Sequence, residues 1–150
     1  MRQSTANAYV RKVHRRYKAK PPKVRIRRVR GLFGWHGRFV PNKNEIHLSI
    51  GTRVHEKAQR ALLVHETTHS IARVVERRRK GSGKTTKGKR RKRKSRLTYH
   101  GQHDRHFYGV ARELNRRGGI DPRTAMFIES SSGYRPPKSW KRAVRRGKWR

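Results

Sequence analysis

Residues 62–75, LLVHETTHSIARVV, place two histidines four positions apart in a stretch with one apolar side, and any fold this chain adopts must bury that side. Ala58, Ala61, Leu62, His65, His69, Ala72 and Val75 recur at three- and four-residue steps, which predicts a long helix over about residues 53–78. His65 and His69 then lie one turn apart on the buried face, so their imidazoles can converge on one ion. Glu66 is rotated by about 100° around the helix and can reach a water beside the ion rather than the ion itself. Two neutral ligands leave a divalent cation its Lewis acidity, and the adjacent carboxylate can take a proton from that water. The same residues can also be two core histidines that pack or hydrogen-bond without metal, and nine histidines make the spacing easier to reach by chance. A chance pair would be expected on the polar face, whereas this one is in line with the core.

Lys+Arg 44 against Asp+Glu 8 gives a net charge of +36 over 150 residues. The core must therefore be small and local, and self-repulsion opposes folding unless a polyanion or salt screens it. Nucleic acid is the commonest polyanion, DNA being favoured here over RNA. An anionic membrane surface is the weaker alternative, and no apolar run approaches the length that spans a bilayer. The segment MRQSTANAYVRKVHRRYKAK lacks the apolar centre of a secretory leader. A cytoplasmic or nucleoid-associated protein is expected, and a phage or viral origin is compatible with this composition. Without cysteine there are no disulfides, thiolate zinc sites or cysteine nucleophiles.

Tyr9, Val13 and Tyr17 predict an amphipathic helix over residues 5–19, ended by Pro21-Pro22. VRIRRVR (24–30) reads as a solvent-facing strand, GLFGWHGRFV (31–40) as a turn and a short strand, and PNKN as a second turn. EIHLSI (45–50) is the clearest strand, with Ile46, Leu48 and Ile50 on one face and His47 and Ser49 on the other. A second helix over about 104–117 carries Phe107, Val110, Ala111 and Leu114 and stops at Gly118-Gly119. DPRTAMFIE (121–129) opens with an Asp cap and a proline, giving a third short helix.

Catalytic zinc sites usually carry three protein ligands, so a third is required. His100, His103 and His106 stand at the entrance of the second helix, and Glu113 lies further along it. The order EIHLSI, ALLVHETTHSIA, GQHDRHFYGVARELN resembles the SprT-like (Spartan-related) zinc metallopeptidases. Their pattern is an I-x-L-S strand, an L-L-H-E-x-x-H-A helix and an H-G-x-x-F helix start. The resemblance covers roughly residues 24–117 and falls on Ile46, Leu48, Ser49, His65, Glu66, His69, His103 and Phe107, with Asp104 where the family usually has Gly. It implies Zn2+ held by His65, His69 and His103, with Glu66 as general base and Phe107 packing the second helix. Tyr99, His100, His106 or an arginine could hold an oxyanion. Two departures stand out: a basic insertion between the second and third ligands, and the lack of the cysteine zinc ribbon that relatives often carry.

The insertion, residues 77–96, has 13 Lys or Arg in 20 positions and no apolar residue, which reads as a mobile loop or arm. Arg77, Arg78, Arg79, Lys80, Lys84, Lys87, Lys89, Arg90, Arg91, Lys92, Arg93, Lys94 and Arg96 are its candidate nucleic-acid contacts, directed at phosphates and so strongly salt-dependent. Within it, GSGKTT (81–86) imitates a phosphate-binding loop, but Arg78 stands where that pattern needs glycine. Trp140, Trp149 and Tyr134 in the basic tail either stack on bases or dock the tail. The expected fold is α+β and zincin-like: a small, mostly antiparallel sheet packed on the motif helix, a second ligand-bearing helix, and basic arms. Strand 45–50 is expected at the sheet edge, where it can pair with an extended peptide. The chain divides into a basic N-terminal helix (1–22), a metallopeptidase-like domain (23–130) and a basic tail (131–150). The expected function is zinc-dependent cleavage of proteins bound near nucleic acid. A non-catalytic nucleic-acid-binding or packaging protein with a structural or vestigial metal site is the alternative.

Overall fold

Caps and glycines set the helix boundaries. Asp104 accepts from the backbone N–H groups of His106 and Phe107, both at 2.9 Å, and so starts one helix. Asp121 accepts from Thr124 N–H at 2.9 Å and starts the next, with Pro122 in its first turn. Gly119, at φ 67°, and Gly147, at φ 68°, take the left-handed conformation just beyond two helix ends. The computed structural model describes residues 1–30, 34–82, 103–133 and 135–149, with the backbone course alone at 79–82 and 105. The elements are α1 (Gln3–Arg16), β1 (Lys23–Val29), β2 (Trp35–Val40), β3 (Glu45–Gly51), α2 (Glu56–Ser82), α3 (Arg105–Arg117), α4 (Pro122–Ser131) and α5 (Lys138–Arg146).

The fold is α+β, but the sheet is mixed rather than mostly antiparallel. Its order is β1-β3-β2, with β1 parallel and β2 antiparallel to β3. β3 is therefore the central strand, and the expectation that 45–50 forms the edge is overturned. Alternating apolar residues fix which face of a strand is buried and say nothing about its neighbours. The face assignment holds: Ile46, Leu48 and Ile50 are buried, and His47 and Ser49 are half-buried.

α2 is the shared spine of two apolar clusters. Leu62 and Leu63 pack with Val24, Ile46, Leu48, Ile50 and Val10 of α1. Ala61, Val64 and Ile71 pack with Phe107, Leu114 and Ile128 of α3 and α4. Thr67 and Thr68 are fully buried in that spine, and each hydroxyl donates to the carbonyl four residues back, Leu63 at 2.7 Å and Val64 at 2.8 Å. The helix starts at Glu56 and runs on through Ser82, so the first residues of the basic run are helical rather than loop. Lysine and arginine are good helix formers, and no breaker intervenes before Gly81. Among the described residues no helix is long and apolar enough to cross a membrane.

The C-terminal segment is docked through Trp140, which is 1% exposed and meets Tyr108 edge-on at 5.3 Å. Burying about 150–250 Å² of aromatic surface at about 25 cal/mol/Å² contributes on the order of 4–6 kcal/mol, enough to hold a nine-residue helix in place. Trp149 packs against Trp140 at 5.0 Å and donates its indole N–H to Ile120 O at 2.7 Å. Tyr134 lies outside the described residues.

α1 is tied to the spine by a buried histidine. His14 Nδ1–H donates to Val10 O and its Nε2 accepts from Ser70 Oγ, both at 2.9 Å. Burial holds the His14 pKa below its ordinary value of 6.5, only partly offset by the Val10 hydrogen bond. The folded protein thus takes up this proton less readily than the unfolded chain. The stability it contributes is complete above about pH 6.5 and is lost as pH falls through the lowered folded value. Thermal melts of chelated protein between pH 7 and 5 should fall more steeply for wild type than for His14→Gln. Equal slopes would show that His14 is not an acid-labile group.

Candidate metal centre

Three imidazoles from two separated segments meet at one point. His65 and His69 come from one face of α2, and His103 stands immediately before the Asp104 cap of α3. The Nε2 of His69 lies 3.2 Å from the Nε2 of His65 and 3.2 Å from the Nε2 of His103. One ligand atom from each of the three lies within 4.8 Å of the others. His65 and His103 are buried and His69 is half-buried. Phe107 lies against all three rings, stacked on His103 at 4.0 Å and 4.6 Å from His69. It is the packing residue that the sequence resemblance implied.

Tautomers decide what these nitrogens offer. Glu129 of α4 accepts from His65 Nδ1–H at 2.7 Å through Oε1 and from His103 Nδ1–H at 2.8 Å through Oε2. A neutral ring protonated on Nδ1 presents a bare lone pair at Nε2. His69 Nε2 faces two such lone pairs and can donate a proton to one of them only. At least one close N···N contact therefore lacks a proton, an arrangement that a cation relieves. A tetrahedral ion with bonds of about 2.0–2.1 Å has N···N edges of about 3.3–3.4 Å, close to the two shortest separations found here. The donor set fits a metal ion.

The charges agree with that geometry. Burial, followed by the charges of His65 and His103, pushes His69 well below its ordinary pKa, and burial lowers His103 as well. Burial also acts to lower His65, but the Glu129 hydrogen bond and the charges of Glu129 and Glu66 outweigh it and raise it. Glu129 is lowered: burial would raise it, and the hydrogen bonds from His103 and His65 prevail. Glu66 is 4% exposed, and burial pushes its carboxyl up to about 7, against the His65 charge and the Phe39 N–H that it accepts.

Glu66 is held from the sheet side by β2. A Cβ on Gly37 would fall 2.5 Å from Glu66 Oε1 and 2.9 Å from Leu62 Cδ1, so only glycine lets this strand approach. Gly51 N donates to Gly34 O at 2.9 Å, and antiparallel alternation then turns the main-chain groups of Trp35, Gly37 and Phe39 away from β3. Among the described residues the sheet edge beside Glu66 is thus β2, in place of the strand expected there, with its Phe39 N–H donated to Glu66.

The structure brings together His65, Glu66, His69 and His103. His106 lies outside the cluster, and Glu113 is engaged elsewhere, accepting from Tyr17 at 3.0 Å and Arg117 at 2.9 Å. Arg77 and Arg78 extend α2, and Arg78 donates to Lys18 O at 2.9 Å. The side chains of Arg79 and Lys80 lie outside the described residues, as do Lys84, Lys87, Lys89, Arg90, Arg91, Lys92, Arg93, Lys94, Arg96, Tyr99 and His100. Glu129 was missed by the sequence reading. Its signal was a lone acid at the end of the apolar run AMFIE, on the same side as Ala125 and Ile128. No protein-family model matches the chain, and no curated protein or solved structure matches it either.

Proposed function

We propose that the chain is a zinc-dependent metallopeptidase of zincin-like packing that associates with nucleic acid through its basic segments and cleaves proteins bound nearby. The observation that carries this reading is the convergence of three Nε2 atoms, with the buried Glu66 next to His65 in sequence. A bound zinc ion would supply Lewis acidity to the substrate carbonyl and acidify a water. His65, His69 and His103 would hold it, and Glu129 orients two of them. Glu66, with its carboxyl near neutrality, takes the proton from water and can return it to the leaving amine. The outward main-chain groups of Trp35 and Gly37 in β2 suit an extended peptide, which would be recognised mainly through its backbone. The +36 charge supports attachment to nucleic acid, and tethering raises the local concentration of neighbouring substrates, so a weakly selective site suffices.

Purified protein should bind one zinc, and His103→Ala should lose it. The loaded protein should then cleave a DNA-bound protein faster when DNA is present. Zinc binding with no cleavage under any of these conditions would favour a nucleic-acid-binding protein with a structural ion. Gly37→Ala should keep the zinc but lower kcat/KM by about 10²-fold, because displacing Glu66 by roughly 1 Å is enough to misplace the base. Unchanged turnover in that variant would mean that β2 does not position Glu66.

A further inference from the structure

A cavity of about 360 Å³ opens between α1, α2 and the C-terminal end of α3. Glu113, Leu114, Arg117 and Gly118 line it at the end of α3 away from His103, and Leu63 and Val64 line it from α2. Val13, Leu63 and Leu114 form its apolar floor, and the rings of Tyr9 and Tyr17 flank it. Lys12 and Arg16 line it as cations, while Arg60 pairs with Glu56 at 3.2 Å and Arg117 with Glu113 at 2.9 Å.

We propose that this cavity binds a nucleotide unit, its base between the tyrosines and the apolar floor and its phosphate at Lys12 and Arg16. Each part of the site meets one part of that ligand. A planar ring stacks on phenol faces and covers the aliphatic floor. A phosphate answers the excess of cations at the opening. A purely apolar guest would leave those cations unanswered, and inorganic phosphate would leave the floor uncovered. The volume lies in the range typical of small-molecule pockets. Whether the unit is a free nucleotide or the end of a strand, the recognising chemistry is the same.

Calorimetry on the full, zinc-loaded chain with adenosine 5′-monophosphate, adenosine and inorganic phosphate tests this site. The monophosphate should bind about tenfold or more tightly than either fragment. Lys12→Glu with Arg16→Glu should weaken it by about tenfold or more, and Tyr9→Leu, which removes a stacking ring, by a smaller factor, whereas Arg145→Glu on α5 should not change it. Tyr9→Leu leaves the charges in place, so it remains informative if the charge-reversed chain folds poorly. Displacement of the monophosphate by a 5′-phosphorylated single strand would assign the site to strand ends. Failure of the strand to compete would assign it to free nucleotide. Phosphate binding as tight as the monophosphate, or affinity unchanged in both the charge-reversed and Tyr9→Leu variants, would overturn the proposal. Zinc content and peptide cleavage report on the metal centre separately, so the two readings can fail independently.

Discussion

Glu66→Gln should leave one zinc bound while kcat/KM for peptide cleavage falls by about 10²–10⁴-fold, the usual range for losing a general base. Glutamine has nearly the same shape, so it can sit under Gly37 and still accept from Phe39 N–H. Metal affinity should barely move, because the carboxylate is not among the three converging ligands. What glutamine cannot do is take up a proton. Glu66→Asp retains that capacity but withdraws it by one methylene, so it should fall between wild type and the glutamine variant. The measurement is turnover alongside zinc content for all three proteins. Full activity in the glutamine variant would remove Glu66 from the mechanism and leave the ion with a structural role.

Glu129→Ala should weaken zinc binding by about 10- to 100-fold or more, the range that accompanies loss of one orienting contact, because one carboxylate serves both His65 and His103. Two buried N–H donors would lose their acceptor, each at a cost of about 1–3 kcal/mol, and both rings would be free to present the wrong nitrogen. Glu129→Gln separates charge from shape. Its amide offers one acceptor and one N–H₂, so it can satisfy one ring and opposes the other. It should lie between wild type and alanine in a competition titration against a chromophoric chelator, with activity partly restored at high zinc. Equal affinity in all three proteins would reduce Glu129 to a buried acid that merely fills space.

The parts of this site that were legible in the sequence are those with local spacing. Histidines four apart share a helix face whatever the rest of the chain does, and their alignment with Leu62 and Ala61 marked that face as buried. Spacing alone left His100, His103, His106 and Glu113 open, and His103 was reached through the family resemblance, which falls on a histidine four residues before Phe107. Glu129 was not reachable by the same route. It is 64 residues from one partner and 26 from the other, and nothing local records the docking of α4 against α2. Strand order was hidden for a related reason. Ile46 and Val24 both advertise a buried side, but their parallel pairing is set by the path of α1 and the loops, not by either strand. Asp104 shows the converse: it stands where the resembled pattern usually has Gly, and the fold uses it as a helix cap.

Residues 69 and 103 are 34 positions apart, and the stretch joining them holds most of the chain's densest positive charge. A cation shared by those two side chains would act as a removable staple, closing that stretch into a ring at both of its roots. Occupancy of the metal would then lower the entropy of the unfolded chain as a cross-link does. An ion bound there for the hydrolysis proposed above would thus also govern how firmly the two roots of the polycationic segment are held together.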